Sequence, residues 1–178
     1  MAAEIEVKVQ VSGEGLAKTR HRALELGFQS VHPRAREENW LFDLPDRRLT
    51  EGGCALRLRQ YGERCLLTYK GPRQDDPLFK IREEIETPVG DYAAAVRLLE
   101  ALGFAVTFRY GKFRERFQWP EAGVELCLDE TPFGCFVEIE GPPEVLRRVA
   151  SAMGWSPAEF ITRNYVDLYL EHGWGQPT

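Results

Sequence analysis

Near the start of the chain, Glu4, Glu6 and Lys8 occupy alternate positions in EIEVKVQV, with Ile5, Val7, Val9 and Val11 between them. In an extended strand this spacing turns the three charges to one face and the branched apolar residues to the other. The device recurs along the chain. Arg57 and Arg59 alternate in ALRLRQY, and Lys70 ends LLTYK. Lys80, Arg82, Glu84 and Glu86 alternate in KIREEIE, and Lys112, Arg114 and Arg116 in KFRER. Glu125 and Asp129 share a face of VELCLD, and Glu138 and Glu140 a face of VEIE. Eight carboxylates and nine bases thus sort to one side of seven strands, with only Glu83 and Glu115 interrupting the apolar side.

A sheet face that merely meets water is usually rich in Thr, Ser and Gln as well as charge. Here like charges sit side by side: Arg57 and Arg59, or Glu138 and Glu140, are about 7 Å apart along a strand and repel. Such segregation suits a third party, with a polyanion on the bases and a divalent cation on the carboxylates. Arginine forks grip phosphate oxygens two at a time and lysines add point charges. Oxygen donors without His or Cys favour Mg²⁺ or Mn²⁺ over zinc. No GxxxxGK[ST] loop is present, so side chains must do any holding of a triphosphate.

The elements that must position these residues read as two similar halves, about 1–79 and 80–178. The first runs from strand 4–11 through a helix in EGLAKTRHRALEL, stopped at Gly27, to the strands ENWLFDL, ALRLRQY and CLLTYKG. The second runs from KIREEIET through a helix capped by Asp91 and stopped at Gly103, to TFRYGKFRERFQ, GVELCLDE and CFVEIEG. A helix in PPEVLRRVASAM and another in RNYVDLYLEH follow. Eight antiparallel strands can close into a barrel that holds one ligand, here with the charges inside and helices covering an apolar exterior.

Composition agrees. A chain of 178 residues, 43% hydrophobic, can bury a sizeable core as one domain. A net charge of −5 argues against a partner that is a nucleic-acid polymer. No apolar run approaches a membrane span and no secretion signal opens the chain, so a cytoplasmic location is expected. Cys54, Cys65, Cys127 and Cys135 form no CxxC pair and read as reduced thiols. His21, His32 and His172 are scattered, which leaves no histidine-centred triad or metal cluster.

EIEVK, ALRLR, LTYKGP, KIREEIE, LLEALGF, KFRERF and CLDETPFGCFVEIEG, in that order over nearly the whole chain, resemble the CYTH superfamily of triphosphate tunnel metalloenzymes. That superfamily includes class IV adenylyl cyclases and thiamine triphosphatases, and the similarity is to its CyaB-like branch. The resemblance implies an α+β fold: a closed eight-stranded antiparallel tunnel with helices outside, formed by a single domain over 1–178. It implies that Glu4, Glu6, Asp129, Glu138 and Glu140 serve Mg²⁺ or Mn²⁺. It gives Lys8, Arg57, Arg59, Lys70, Arg82, Lys112 and Arg114 to the triphosphate, with Lys80 in support and Glu84 and Glu86 either orienting those bases or helping a second metal. Glu6 and Lys70 are the catalytic candidates, Lys70 as activator of water or as a plain phosphate ligand. Arg163 and Tyr165 on the last helix could reach a tunnel mouth, with core packing the alternative for Tyr165.

Two departures bear on substrate. Animal thiamine triphosphatases carry a Trp just before Leu-Arg-x-Arg, where this chain has Ala55. The family's Tyr-Tyr-Asp or Tyr-Phe-Asp stands here as Leu41-Phe42-Asp43. Trp40 beside it is a possible stacking surface, though its place in a strand suits core packing. The expected activity is therefore metal-dependent hydrolysis of inorganic tripolyphosphate or a related triphosphate. The alternatives are a class IV adenylyl cyclase and a polyphosphate- or nucleotide-binding module without turnover. The sequence leaves open whether the chain forms a homodimer.

Overall fold

The computed structural model describes residues 3–174. Its strands are β1 (Ala3–Val11), β2 (Gln29–Asp43), β3 (Ala55–Tyr61), β4 (Arg64–Gln74), β5 (Lys80–Pro88), β6 (Ala105–Trp119), β7 (Val124–Thr131), β8 (Gly134–Glu140) and the short β9 (Phe160–Ile161). The helices are α1 (Gly13–Glu25), α2 (Arg48–Glu51), α3 (Tyr92–Ala101), α4 (Pro143–Met153) and α5 (Tyr165–Glu171).

The sheet runs β5-β4-β3-β2-β6-β7-β8-β1, and β1 pairs back onto β5, so eight antiparallel strands close into a barrel. β9 adds two residues beside Lys8 and Val9. β1 to β4 run strand, helix and three strands, with the one-turn α2 between β2 and β3, and β5 to β8 run strand, helix and three strands. The halves are stitched together by β1 against β5 and β8 and by β2 against β6. A cut near residue 79 would leave both with open strand edges.

Alternation inverts the usual pattern. Val7, Val9, Leu126, Leu128, Val137 and Ile139 face outward and are buried beneath Ala23 of α1 and Leu146 and Val149 of α4. Around the barrel, Phe42, Leu58 and Cys65 pack under Leu99 of α3, with Trp40 edge-on to Tyr92. Trp40 is thus core, facing away from the lumen. The helices stop where the sequence said: Gly27 (φ 97°) and Gly103 (φ 91°) adopt the left-handed backbone that glycine reaches without penalty. Asp91 caps α3 by accepting from the Ala94 N–H at 2.9 Å.

α5 has a different task. Its Tyr165, Leu168 and Tyr169 pack on Phe108, Tyr110 and Phe136, residues that share the inward parity of β6 and β8. The helix therefore seats an aromatic plug against the inside of the barrel wall.

The sequence reading is corrected in three places. β2 begins at Gln29 and not near Glu38, because register shifts around His32 and Ala35 absorb Pro33, which has no N–H to pair. β9 was not foreseen. Arg163 precedes α5, whose cap is Asn164.

Candidate active site

Inside the barrel lies a cavity of about 570 Å³. Every charge that the alternation singled out lines it except Lys8 and Asp129. Both of those are buried beneath α5, where the Tyr165 ring covers Lys8 and its hydroxyl bonds Asp129.

One stretch of wall is a dense base–acid lattice. Arg114 places Nε and Nη2 on the two oxygens of Asp129 at 2.7 and 2.6 Å, and Nη2 also bonds Glu138. Lys112 Nζ donates to Asp129 at 2.8 Å, and Tyr165 Oη donates to Asp129 at 2.5 Å. Asp129 is thus enclosed by three donor groups and organises bases from beneath. Lys8 donates to the Arg163 carbonyl at 2.8 Å and lies 3.3 Å from Glu138. The ammonium groups of Lys8 and Lys112 lie 4.2 and 3.8 Å from the centre of the Tyr165 ring. Burial alone would raise the Glu138 carboxyl, but Lys8, Lys112 and Arg114 outweigh it and hold it well below the ordinary carboxylate range. Burial pushes the Lys8 ammonium down, with Glu138 opposing.

Elsewhere the pairs are separate. Lys80 donates to Glu6 at 2.6 Å, Arg59 to Glu86 at 2.8 Å, and Arg116 to Glu125 at 2.9 and 2.6 Å. Lys70 bridges Glu4, at 2.8 and 2.6 Å, and Glu84, at 2.6 Å. Arg82 spends its guanidinium on the carbonyls of Gly71 and Gly53, both at 2.7 Å, and so ties β5 to the segments before β3 and after Lys70. Arg57 differs from them all. Among the described residues its side chain has no ion-pair partner within 4 Å, and its buried Nε has no hydrogen bond. Arg57 as a whole is half-buried, and a buried donor such as its Nε is costly to leave without an acceptor unless a ligand supplies one.

At the junction of β1, β5, β7 and β8 the balance reverses. Glu140 pairs in register with both Glu125 and Glu6. Burial and then the charges of Glu4, Glu125 and Glu84 push its carboxyl up to about 8. Mutually repelling oxygen donors fit a divalent cation such as Mg²⁺ or Mn²⁺. Among the described residues no three acidic, His or Cys groups form a ready cage. Such an ion would therefore draw on Glu4 and Glu140, with other ligands from phosphate oxygens and water, the habit of Mg²⁺ at phosphate sites. The structure does not bring the five expected metal residues together. Asp129 and Glu138 belong to the base lattice, Glu6 to Lys80, and Glu4 and Glu140 to the acidic junction.

Several residues beyond the alternating charges also line the cavity. Arg47 (φ 55°), Thr50 and Cys54 come from the loop around α2, which Asp43 holds by accepting from the N–H groups of Leu49 and Thr50. Leu41, Ala55, Thr107, Phe108, Val166 and Leu170 give the cavity an apolar section. Glu37, fully buried among Arg59, Lys112 and Arg114, was missed because its strand was read as starting one residue later. The alternation Glu37, Asn39, Leu41 was the available signal. Arg163 does not line the cavity, pairing instead with Glu171, whereas Tyr165 both lines it and packs in the aromatic cluster.

A closed antiparallel barrel whose inside is lined with acids and bases defines a class of charged-tunnel proteins. The chain belongs to the CYTH domain family, which it matches over residues 2–152. It is similar to "Putative adenylate cyclase MJ0240" of Methanocaldococcus jannaschii, 27% identical over 176 residues that cover 93% of this chain and 97% of that one. Among solved structures it is similar to PH1819 of Pyrococcus horikoshii, at 28% identity and TM-score 0.78, covering 95% and 99% of the two chains. It also shares its fold with a Vibrio parahaemolyticus protein described as a putative adenylate cyclase, at 23% identity and TM-score 0.80, covering 94% and 97%.

Proposed function

We propose that the tunnel binds a triphosphate with Mg²⁺ or Mn²⁺ and hydrolyses its terminal phosphoanhydride. The observation that carries this reading is Arg57, a lumenal guanidinium with no acceptor among the described residues, set among bases that already have partners. A phosphoryl chain would supply the missing oxygens, and each charged hydrogen bond contributes about 1.5–3 kcal/mol. The cation, when bound, would neutralise charge on the phosphate oxygens. Phosphoryl transfer asks a protein mainly for positioning and charge. Arg57, Arg59, Lys112 and Arg114 would hold the chain, and the closed wall and the Tyr165 plug would limit water. Lys70 is the candidate to orient the attacking water. With its ammonium donating to Glu4 and Glu84, it would do so by hydrogen bonding and not by taking a proton while those bonds last.

A second reading has its own support. The apolar section at Leu41, Ala55, Phe108, Val166 and Leu170 leaves room for an organic group, and the Methanocaldococcus relative bears the name of an adenylate cyclase. In that case the ribose 3′-oxygen of ATP would attack in place of water. Incubation with Mg²⁺ or Mn²⁺ and either tripolyphosphate or ATP, followed by quantification of orthophosphate, pyrophosphate and cyclic AMP, separates the two. Orthophosphate from tripolyphosphate is the expected result. Cyclic AMP with pyrophosphate would replace it by the second reading, and binding without product would leave a non-catalytic module.

A further inference from the structure

The reaction just described makes no use of Glu37. Its carboxylate lies 3.7 Å from Lys112 Nζ, 3.7 Å from Arg114 Nε and 3.8 Å from Arg59 Nη1, with no exposure to solvent. Asn39 Nδ2 donates to Oε1 at 2.9 Å, while Oε2 has no hydrogen-bond partner among the described residues. Buried carboxylate oxygens are normally bonded, so this one calls for a reason. The hydrogen bonds that fix the three bases run elsewhere. Lys112 and Arg114 are held by Asp129, and Arg59 by Glu86. Asp129 and Glu86 therefore set the geometry of the bases, and Glu37 contributes charge. Burial opposes its ionisation, yet Arg114, Lys112, Arg59 and Arg57 overcome this and keep it a carboxylate.

A fixed negative charge behind phosphate-gripping bases subtracts from the field that a polyanion meets, with little water to screen it. We propose that Glu37 is a built-in counter-anion that limits how tightly the tunnel holds a phosphoryl chain, so that products leave. Binding that is equally strong for substrate, transition state and product slows turnover once the site is saturated. The inference rests on the tunnel being a phosphate-chain site.

The test is calorimetric titration of the full chain with tripolyphosphate in EDTA, where no metal-dependent turnover interferes. Glu37→Gln keeps shape and removes charge, and is expected to bind at least tenfold tighter, about 1.4 kcal/mol. Adding Asn39→Asp to it returns the charge two residues along the same face of β2, and should restore affinity to within about threefold of wild type. A merely structural role would not yield tighter binding, nor that rescue. Equal or weaker binding by Glu37→Gln overturns the proposal. Should that variant fail to fold, Asn39→Asp alone gives the opposite sign: an added charge should weaken binding about tenfold, and unchanged affinity overturns the proposal. A wild-type chain that takes up no tripolyphosphate, either in EDTA or with Mn²⁺ present, refutes the tunnel reading itself, a result distinct from wild-type binding that Glu37→Gln leaves unaltered.

Discussion

Two arginines of the tunnel wall separate binding from stability. Arg57 has no acceptor among the described residues, so Arg57→Ala should cost the fold little while raising the KM for triphosphate about tenfold to a hundredfold, the worth of one charged hydrogen bond. Arg114 satisfies Asp129 and Glu138, and Arg114→Ala should cost about 3–5 kcal/mol by leaving buried charge uncompensated. Thermal melts beside steady-state kinetics check both. A melting loss for Arg57→Ala as large as that for Arg114→Ala would contradict the division. Such distinctions were not legible in the sequence. Alternation placed Arg57, Arg82 and Arg114 on one face, but three identical side chains were given three different partners by tertiary contact: none, backbone carbonyls, and buried acids.

Among the elements, strands with strict alternation were legible and β2, irregular around Pro33, was not. β1, β3, β5, β7 and β8 carry their parity in the residues themselves, because a slip of one position would turn every charge into the apolar layer. β2 hides its parity behind the bulge at Pro33, and Glu37 was lost with it. What no single strand shows is the acidic junction, where β1, β5, β7 and β8 bring Glu4, Glu84, Glu125 and Glu140 within reach of one another. This junction predicts a pH dependence. The Glu140 carboxyl is raised from 4.5 to about 8 in the folded protein, so the fold retains a proton there that the unfolded chain releases. Stability should therefore fall as pH rises from about 4.5 to about 8, with the loss complete above that range. Solvent reaches Glu140, and screening reduces the size of the effect. Melting temperatures of wild type relative to Glu140→Gln between pH 5 and 8.5 should show the gap widening with pH and Mg²⁺ narrowing it at pH 8. A gap independent of pH would mean the acids do not press on one another.

At the scale of the whole molecule, closure turns local patterns into a site. The same alternation on an open sheet would give a charged surface screened by water. Pairing β1 to β5 encloses it, and the inverted barrel then needs α1, α3 and α4 to cover an apolar exterior. Strand count and helix stops made that closure readable in advance. The plug formed by α5 was not readable, because YVDLYLE has the same periodicity whether its face lies on the outside of a barrel or at its end. The measurement that bears most directly on this account is the position of tripolyphosphate and Mn²⁺ in a co-crystal. The account predicts the phosphate chain within the barrel, its oxygens bonded to Arg57, and the manganese anomalous peak between the chain and the carboxylates of Glu4 and Glu140. Phosphate bound only on the exterior, with Arg57 still unpartnered, would contradict it.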